Sequence, residues 1–222
     1  MALGLQSGGG GGDFDRTAII KYDARAGRIF RIDRNNVDGA WTTDQVEITN
    51  GFQAIFDLEN IEVGYLHFPA GAAPSLVMVK FGEAMPAKPT ADHKQGFRVL
   101  MKLGKSSGGD LREMAANAAV SIAGIDELHT AYTAEKAANP GLLPVVALET
   151  TKAITKTGKD KDGRPQSSTN YQPVWKIVKW VERPAELAGK AAAAEAKPAE
   201  TKVEPESVKA PARELVDAGE EF

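Results

Sequence analysis

Short apolar runs alternate with turn-forming residues through the first half of the chain, which is typical of β-strands. Runs rich in β-branched and aromatic residues lie at 27–33, 51–60, 61–70, 75–82 and 96–104. Gly, Pro, Asn and Asp separate these runs, as turns between strands require. Residues 1–13 are rich in glycine, so we expect a flexible N-terminal segment before a β-rich body that begins at residue 14.

The apolar period changes to that of a helix between residues 110 and 141. Apolar side chains recur there at spacings of three and four, at Leu111, Met114, Ala118, Ile122, Ile125 and Leu128. Asp110 is a suitable N-cap, and residues 139–141 (Asn-Pro-Gly) form a stop signal. The pattern predicts one main amphipathic helix, which Gly124 could divide in two.

Two further apolar strands, at 143–155 and 171–184, flank the polar segment 156–170. This order predicts a long hairpin with a mobile tip. Residues 185–213 contain mainly Ala, Pro, Glu and Lys with no aromatic side chain, a composition that favours a disordered linker. Residues 214–222 form an acidic C-terminal tip.

Several strands, one helix and a final hairpin predict a mostly β fold with one main helix. We expect a Greek-key β-barrel of the oligonucleotide/oligosaccharide-binding (OB) type over residues 14–184, followed by a disordered C-terminal tail. Extra strands within residues 51–82 would elaborate that barrel. A β-sandwich with one packed helix is the alternative architecture.

The composition changes this picture mainly through charge. The 222-residue chain has a formal net charge of −3. Residues 185–222 carry nine acidic and five basic side chains, so residues 1–184 carry 21 acidic and 22 basic ones. A neutral body with an acidic tail indicates a macromolecular partner. The chain has no cysteine, no apolar run of membrane-spanning length and no signal peptide, so we expect a cytoplasmic protein without membrane association.

The final hairpin combines cations with aromatic side chains, which is what binding of single-stranded nucleic acid requires. Its candidate DNA-binding residues are Lys152, Lys156, Lys159, Lys161, Arg164, Tyr171, Trp175 and Lys179. A period of two would place Tyr171, Trp175, Ile177 and Lys179 on one face, with Lys176, Val178 and Trp180 on the other. In the alternative interpretation both tryptophans are core residues and the lysines only solvate a β-ribbon.

Other candidates for DNA binding lie outside the hairpin. Trp41 lies in a turn-like segment close to Arg31 and Arg34, where its ring could be exposed, whereas Phe52, Phe56, Tyr65 and Phe81 are expected in the core. Lys105 belongs to the Gly/Ser loop at 103–110, which lacks the first glycine of a phosphate-binding P-loop because Val99 stands there.

Catalytic and metal-binding patterns are missing from the sequence. His67, His93 and His129 have no metal-ligand spacing, and neither a nucleophile elbow nor a dinucleotide fingerprint occurs. We therefore expect no enzymatic activity, no cofactor and no metal.

The acidic tip ends in a large apolar residue that a disordered tail does not need for folding. Its candidate partner-binding residues are Glu214, Asp217, Glu220, Glu221 and Phe222. The terminal phenylalanine could anchor in another protein's pocket, with a basic rim that takes the carboxylates. The same acidic side chains could compete with a phosphate backbone for the basic hairpin.

The β-rich body, the basic hairpin, the low-complexity linker and the terminal residues DAGEEF together resemble the single-stranded DNA-binding proteins of tailed phages and, more distantly, of bacteria. The resemblance implies an OB-fold that coats unwound DNA without sequence preference. It also implies that the tip recruits replication or recombination proteins such as a polymerase, helicase or recombinase. Glu221 stands where the bacterial proteins usually have proline, which favours the phage type.

We therefore expect a non-catalytic single-stranded DNA-binding protein of phage replication or recombination, working in the host cytoplasm if it is phage-encoded. Self-association into a homo-oligomer stays open. A structural or assembly protein of a virion or complex is the alternative, in which the β-rich domain packs against other subunits.

Overall fold

The computed structural model describes residues 18–159 and 162–188, and of Val37 and Trp41 it describes the backbone. The strands are β1 (Ala18–Asp23), β2 (Arg28–Val37), β3 (Ala40–Glu47), β4 (Gln53–Phe56), β5 (Glu62–His67), β6 (Ser75–Lys80), β7 (Lys94–Leu103), β8 (Leu111–Ala116), β9 (Leu142–Lys159) and β10 (Pro165–Glu182). The α-helix, α1, spans Ala119–Lys136. The expected mostly β fold with one main helix is confirmed.

All ten strands belong to one sheet, in the order β10-β9-β4-β7-β8-β1-β2-β3, with β5 on β7 and β6 on β5. Only β1 and β8 run parallel to each other; the other neighbours are antiparallel. Within the described residues the strand ladder does not close into a barrel. The end of β1 nevertheless meets the middle of β10, where the Tyr171 amide donates to the Ala24 carbonyl at 2.7 Å.

An aromatic cluster fills the concave side of the sheet where β1, β4 and β10 approach one another. The Trp175 ring lies 5.6 Å from Phe56, 5.8 Å from Phe52 and 6.4 Å from Tyr22, in tilted arrangements. Phe52 and Phe56 are fully buried. Burial of each such ring stabilises the fold by about 2 kcal/mol, and tilted ring pairs add to this. The cluster therefore holds the curved sheet together across strands that are not neighbours.

The predicted helix over residues 110–141 is wrong in its first part. Residues 111–116 form β8, because Arg112 and Met114 are buried at a period of two between β7 and β1. The helix begins after Ala118, not Asp110, whose carboxylate instead accepts from Arg112 Nε at 2.8 Å. The helix is also undivided, since Gly124 lies against β10, where a Cβ atom would stand 2.7 Å from Pro173 Cγ.

The final hairpin is longer than its apolar pattern indicates. Strands β9 and β10 stay paired as far as Lys159 and Pro165, so most of the predicted mobile tip at 156–170 is regular strand. Polar Thr and Ser residues form this part, and the alternation signal that marks a half-buried strand does not apply to a ribbon exposed on both faces.

A buried charge pair fixes the point at which the chain leaves β10. Asp57 is fully buried, and Arg183 Nη1 donates to its Oδ2 at 2.7 Å. Arg183 Nη2 donates to Glu59 Oε2 at the same distance. Four residues later Leu187 is also fully buried, although it lies beyond the predicted domain boundary at residue 184.

Removal of Arg183 should be strongly destabilising because it takes away the charge that balances the buried Asp57 carboxylate, which keeps only the Asn60 amide as a side-chain donor. We expect Arg183→Ala to lower the free energy of unfolding by about 3 kcal/mol, measured by urea denaturation. Glu59→Ala is the matched control: it removes the exposed partner of the same arginine and should cost less than about 1 kcal/mol. Equal losses would contradict this account.

Candidate nucleic-acid interface

The distal part of the final hairpin, residues 152–159 and 165–170, forms a projecting ribbon that we call the arm. Pairing of β9 with β4 ends at Ala147, so beyond it β9 has β10 as its ladder partner. All side chains of the arm are exposed except Ile154 and Asn170, which are half-buried. Eight extended residues span about 27 Å, so the arm reaches well away from the sheet.

Positive charge is concentrated on the arm. Residues 152–170 carry five basic and two acidic side chains, whereas the remainder of residues 1–184 carries 17 basic and 19 acidic ones. Lys152 and Lys156 lie opposite Gln172 and Ser168 on one face of the ribbon, and Lys159 lies on the other. All three lysines are exposed. The arm is thus a cationic extension of a body that is otherwise slightly acidic.

The loop that joins the two strands of the arm contains two further residues predicted to bind DNA. Arg164 is exposed close to Asp162, the acidic side chain that the structure describes in this loop. Lys161 falls outside the described residues. Because β9 has no acidic side chain from Thr150 to Lys159, and β10 none before Glu182, the strands themselves present uninterrupted positive charge.

A compact contact fixes the base of the arm to the turn between β1 and β2. The Tyr22 hydroxyl donates to the Tyr171 carbonyl at 2.8 Å, and burial, assisted by the charge of Asp23, raises the pKa of Tyr22 to about 12. Gly27 has a φ of +66°, and a Cβ there would stand 3.1 Å from Tyr171 Cβ. Tyr171 is therefore a half-buried anchor of the arm rather than a free stacking platform.

Both tryptophans of β10 face the body, so the predicted division of β10 into two faces is wrong. The register shifts between Ile177 and Lys179, which makes Val178 an extra residue and inverts the alternation beyond it. Trp175 belongs to the core cluster, while Trp180 stacks on Tyr132 of α1 at 5.7 Å and donates to Glu135. Lys179 is consequently turned outward, away from the face of Trp175.

The fold brings Arg31 close to the loop that carries Lys105, but the Arg31 guanidinium is already paired with the carboxylate of Asp33. Arg31 Nε donates to Asp33 at 2.9 Å and Nη1 to the Ser107 carbonyl at 3.4 Å. Burial raises the pKa of Asp33, yet hydrogen bonds from Arg112 and Arg31 outweigh it and lower that pKa below its ordinary value. Lys105 is exposed at the start of a short 3₁₀ turn.

The remaining predicted residues do not converge on the arm. Arg34 is exposed on β2, seven residues beyond the Gly27 contact and therefore about 23 Å along the strand. The Trp41 side chain lies outside the described part of the chain. The predicted tip residues Glu214, Asp217, Glu220, Glu221 and Phe222 also lie outside it.

Two exposed aromatic rings were not among the predicted site residues. Phe81 is 59% exposed, although the sequence pattern favours a core position, and its ring lies 4.5 Å from His129. Phe68 is 46% exposed. Both residues stand just outside the ends of strands, where an apolar run gives no indication of which side the last ring will face.

The described residues contain no group of three His, Asp or Glu side chains that could hold a metal ion. His93 instead places its ring nitrogens 2.8 Å from Thr90 Oγ1 and 3.0 Å from Ser75 Oγ, and the ring ties a loop to β6. No helix in the described ranges is long and apolar enough to cross a membrane.

Comparison of the chain with protein-family models, with curated proteins and with solved structures yielded no match.

The Tyr22 contact should make the fold sensitive to alkaline pH. Above pH 10 the unfolded chain can ionise this tyrosine while the native state keeps it neutral, so its stabilising effect is lost between about pH 10 and 12. Tyr22→Phe should cost about 1 kcal/mol at pH 8 and less, or nothing, at pH 11. Urea denaturation of both proteins at the two pH values measures this, and a constant difference would refute it.

Proposed function

We propose that this protein is a non-catalytic single-stranded DNA-binding protein and that the arm is its main contact with the phosphate backbone. The observation that carries the proposal is the concentration of positive charge on a ribbon exposed on both faces. Within the described part of the chain Lys152, Lys156 and Lys159 are exposed and make no ion pair, so all three ammonium groups can reach phosphates.

The arm suits a flexible single strand of DNA because its side chains can contact the phosphate backbone without a rigid groove. Lys152 and Lys156 lie about 13 Å apart along one face, with Ile154 and Asn170 between them. The face that carries Lys159 presents hydroxyl side chains, among them Thr155 and Thr169, whose hydroxyl oxygens lie 2.8 Å apart. Lysine and hydroxyl groups contact phosphate and sugar, which carry no sequence information, so we expect little sequence preference.

Base stacking would come from aromatic rings outside the arm. Trp175 is committed to the core, while Phe68 and Phe81 present exposed ring surface. Stacking on such rings tolerates any base. The contact between Ala24 and Tyr171 also supports interpreting the curved sheet as an open, elaborated form of the OB-type Greek-key barrel, which commonly binds single strands.

The acidic tip supplies the second half of the proposed function. In a phage system the tip would recruit a polymerase, helicase or recombinase through Phe222, while its carboxylates compete with DNA for the arm. We therefore propose a role in DNA replication or recombination, in the cytoplasm of the host.

A structural or assembly role is the second candidate function. Phe68, Phe81 and Met85 are exposed apolar side chains on the β5–β6 side of the body, far in sequence from the arm, and such side chains favour contact with another protein. An assembly protein would not need the arm for its activity, so binding experiments on arm variants separate the two candidates.

The DNA-binding proposal is tested with a labelled oligo-dT of about 30 nucleotides, which spans two to several binding sites of this class. A variant with Ala in place of Lys152, Lys156 and Lys159 should bind roughly tenfold more weakly or worse. The slope of log affinity against log salt concentration should become shallower by about 2, because the loss of three phosphate contacts leaves fewer counterions to be released on binding. Unfolding in urea should hardly change, since these side chains are exposed.

The matched control changes Lys21, Lys88 and Lys94 to Ala, which removes the same charge from exposed positions off the arm. This variant should bind nearly as the unmodified protein does. Equal losses in the two variants would place the binding surface elsewhere. Equal affinity of the unmodified protein for duplex and single-stranded DNA, or no DNA binding at low salt, would rule out the proposed function.

Phe222→Ala separates the two activities of the tip. The change keeps every side-chain charge, so DNA affinity should stay unchanged, while capture of a polymerase, helicase or recombinase of the same system should be lost. Partner capture that survives the substitution would show that the terminal ring is not an anchor. Deletion of residues 214–222 provides the comparison, because it should also raise DNA affinity at low salt.

A further inference from the structure

Strand β6 is an open edge of the sheet that lacks the usual protection against pairing. It pairs with β5 alone, and its sequence, SLVMVK, contains no proline and no charge before Lys80. The other two outer strands are protected: β3 carries Asp44 and Glu47, and β10 carries Pro165, Pro173 and two outward lysines. Open apolar edges invite another strand, and proteins protect the edges that must stay single.

Hydrogen-bond alternation shows which backbone groups of β6 face outward. The Phe81 amide donates to the Ile61 carbonyl, so 63/79, 65/77 and 67/75 are the hydrogen-bonded pairs with β5. The amides and carbonyls of Leu76, Met78 and Lys80 must then point away from β5. None of the backbone bonds among the described residues involves the outward groups of Leu76 or Met78.

Both ends of this open stretch are closed. Pro74 has no amide proton to offer. The Lys80 amide donates to Glu83 Oε2 at 3.3 Å, and the Lys80 carbonyl accepts from the Glu83 amide at 3.1 Å. Two residues with open backbone groups remain, Leu76 and Met78, one on each side of Val77. An edge with this arrangement is complementary to itself.

We propose that two copies of this chain pair through their β6 strands, antiparallel, with Leu76 of each copy opposite Met78 of the other. Four backbone hydrogen bonds form in this register, and the closed ends prevent a slip of two residues in either direction. A second copy fits better than an unrelated peptide because each copy presents the same two open residues, so a two-fold axis through Val77 of both copies pairs all of them at once.

Exposed apolar side chains stand where the second copy would cover them. In the proposed register Phe81 of one copy comes opposite Ala73 of the other, within reach of the 68–74 loop that carries Phe68. Met85 lies in the segment that follows Phe81. Three of the five large apolar side chains exposed in the described ranges thus flank this edge. Their burial would supplement four hydrogen bonds that alone make a small interface.

Met78→Pro tests the pairing, because proline removes only the outward amide of that residue and is tolerated at an edge whose N–H faces solvent. The unmodified full chain at about 50 μM should sediment with twice the mass of one chain, within the micromolar range of modest interfaces. Met78→Pro should sediment as a single chain with unchanged circular dichroism.

Thr43→Pro is the matched control on β3, an outer strand that charged side chains protect. The Ile48 amide donates to the Ile29 carbonyl, and the same alternation makes the Thr43 amide face outward from β3. This variant should keep the doubled mass. A single-chain mass for the unmodified protein, or a doubled mass for Met78→Pro, would overturn the proposal.

Amide hydrogen exchange decides the matter if Met78→Pro does not fold. The Leu76 and Met78 amides of the unmodified chain should exchange about fivefold more slowly at 50 μM than at 0.5 μM, concentrations chosen to bracket a micromolar dissociation constant. Equal exchange at both concentrations would overturn the pairing. Because none of these measurements includes DNA, they stand or fall independently of the proposed function.

Discussion

The packing of Trp175 against Tyr22, Phe52 and Phe56 is the contact on which the rest of the structure depends. These rings come from β10, from β1 and from β4 with the residue before it, so their burial bends a ten-stranded sheet until its two halves meet. The bend brings Tyr171 to the β1–β2 turn, which anchors the base of the arm. A single apolar cluster therefore decides where the cationic ribbon leaves the body.

Two arginines, the buried Arg112 and the half-buried Arg183, stabilise regions that this cluster does not reach. Arg112 bonds the carbonyls of Ile19 and Ile32 and the carboxylates of Asp33 and Asp110, and so joins β1, β2 and β8. Arg183 bonds the carboxylates of Asp57 and Glu59 at the exit from β10. Each guanidinium balances the charge of a carboxylate in or beside the core, Asp33 for Arg112 and Asp57 for Arg183, and removal of one charge of such a pair is costly. The arm has no such clamp beyond its base, so its lysines remain available to a ligand.

The charge distribution follows from this division of labour. Basic side chains within the body, such as Arg31, Arg112 and Arg183, are paired with carboxylates, whereas the arm lysines lie on an exposed ribbon without a nearby acidic strand. A near-neutral body is thus compatible with a strongly local attraction for phosphates. The proposed β6 pairing would add a second arm to the same particle and allow two segments of one strand to be held at once.

The sequence by itself determined the β-rich class, most strand positions in the first half, the final hairpin and the location of its cations, because each is a local pattern of period or composition. Only the tertiary structure decided that 111–116 is a strand, since burial between β7 and β1 outweighs its helical spacing. It also decided that Trp175 and Trp180 share the inward face, because a one-residue bulge at Val178 reverses an alternation that no local pattern marks. Bulges, buried charge pairs and edge exposure arise from neighbours distant in the chain, so a periodic reading of the sequence cannot reveal them.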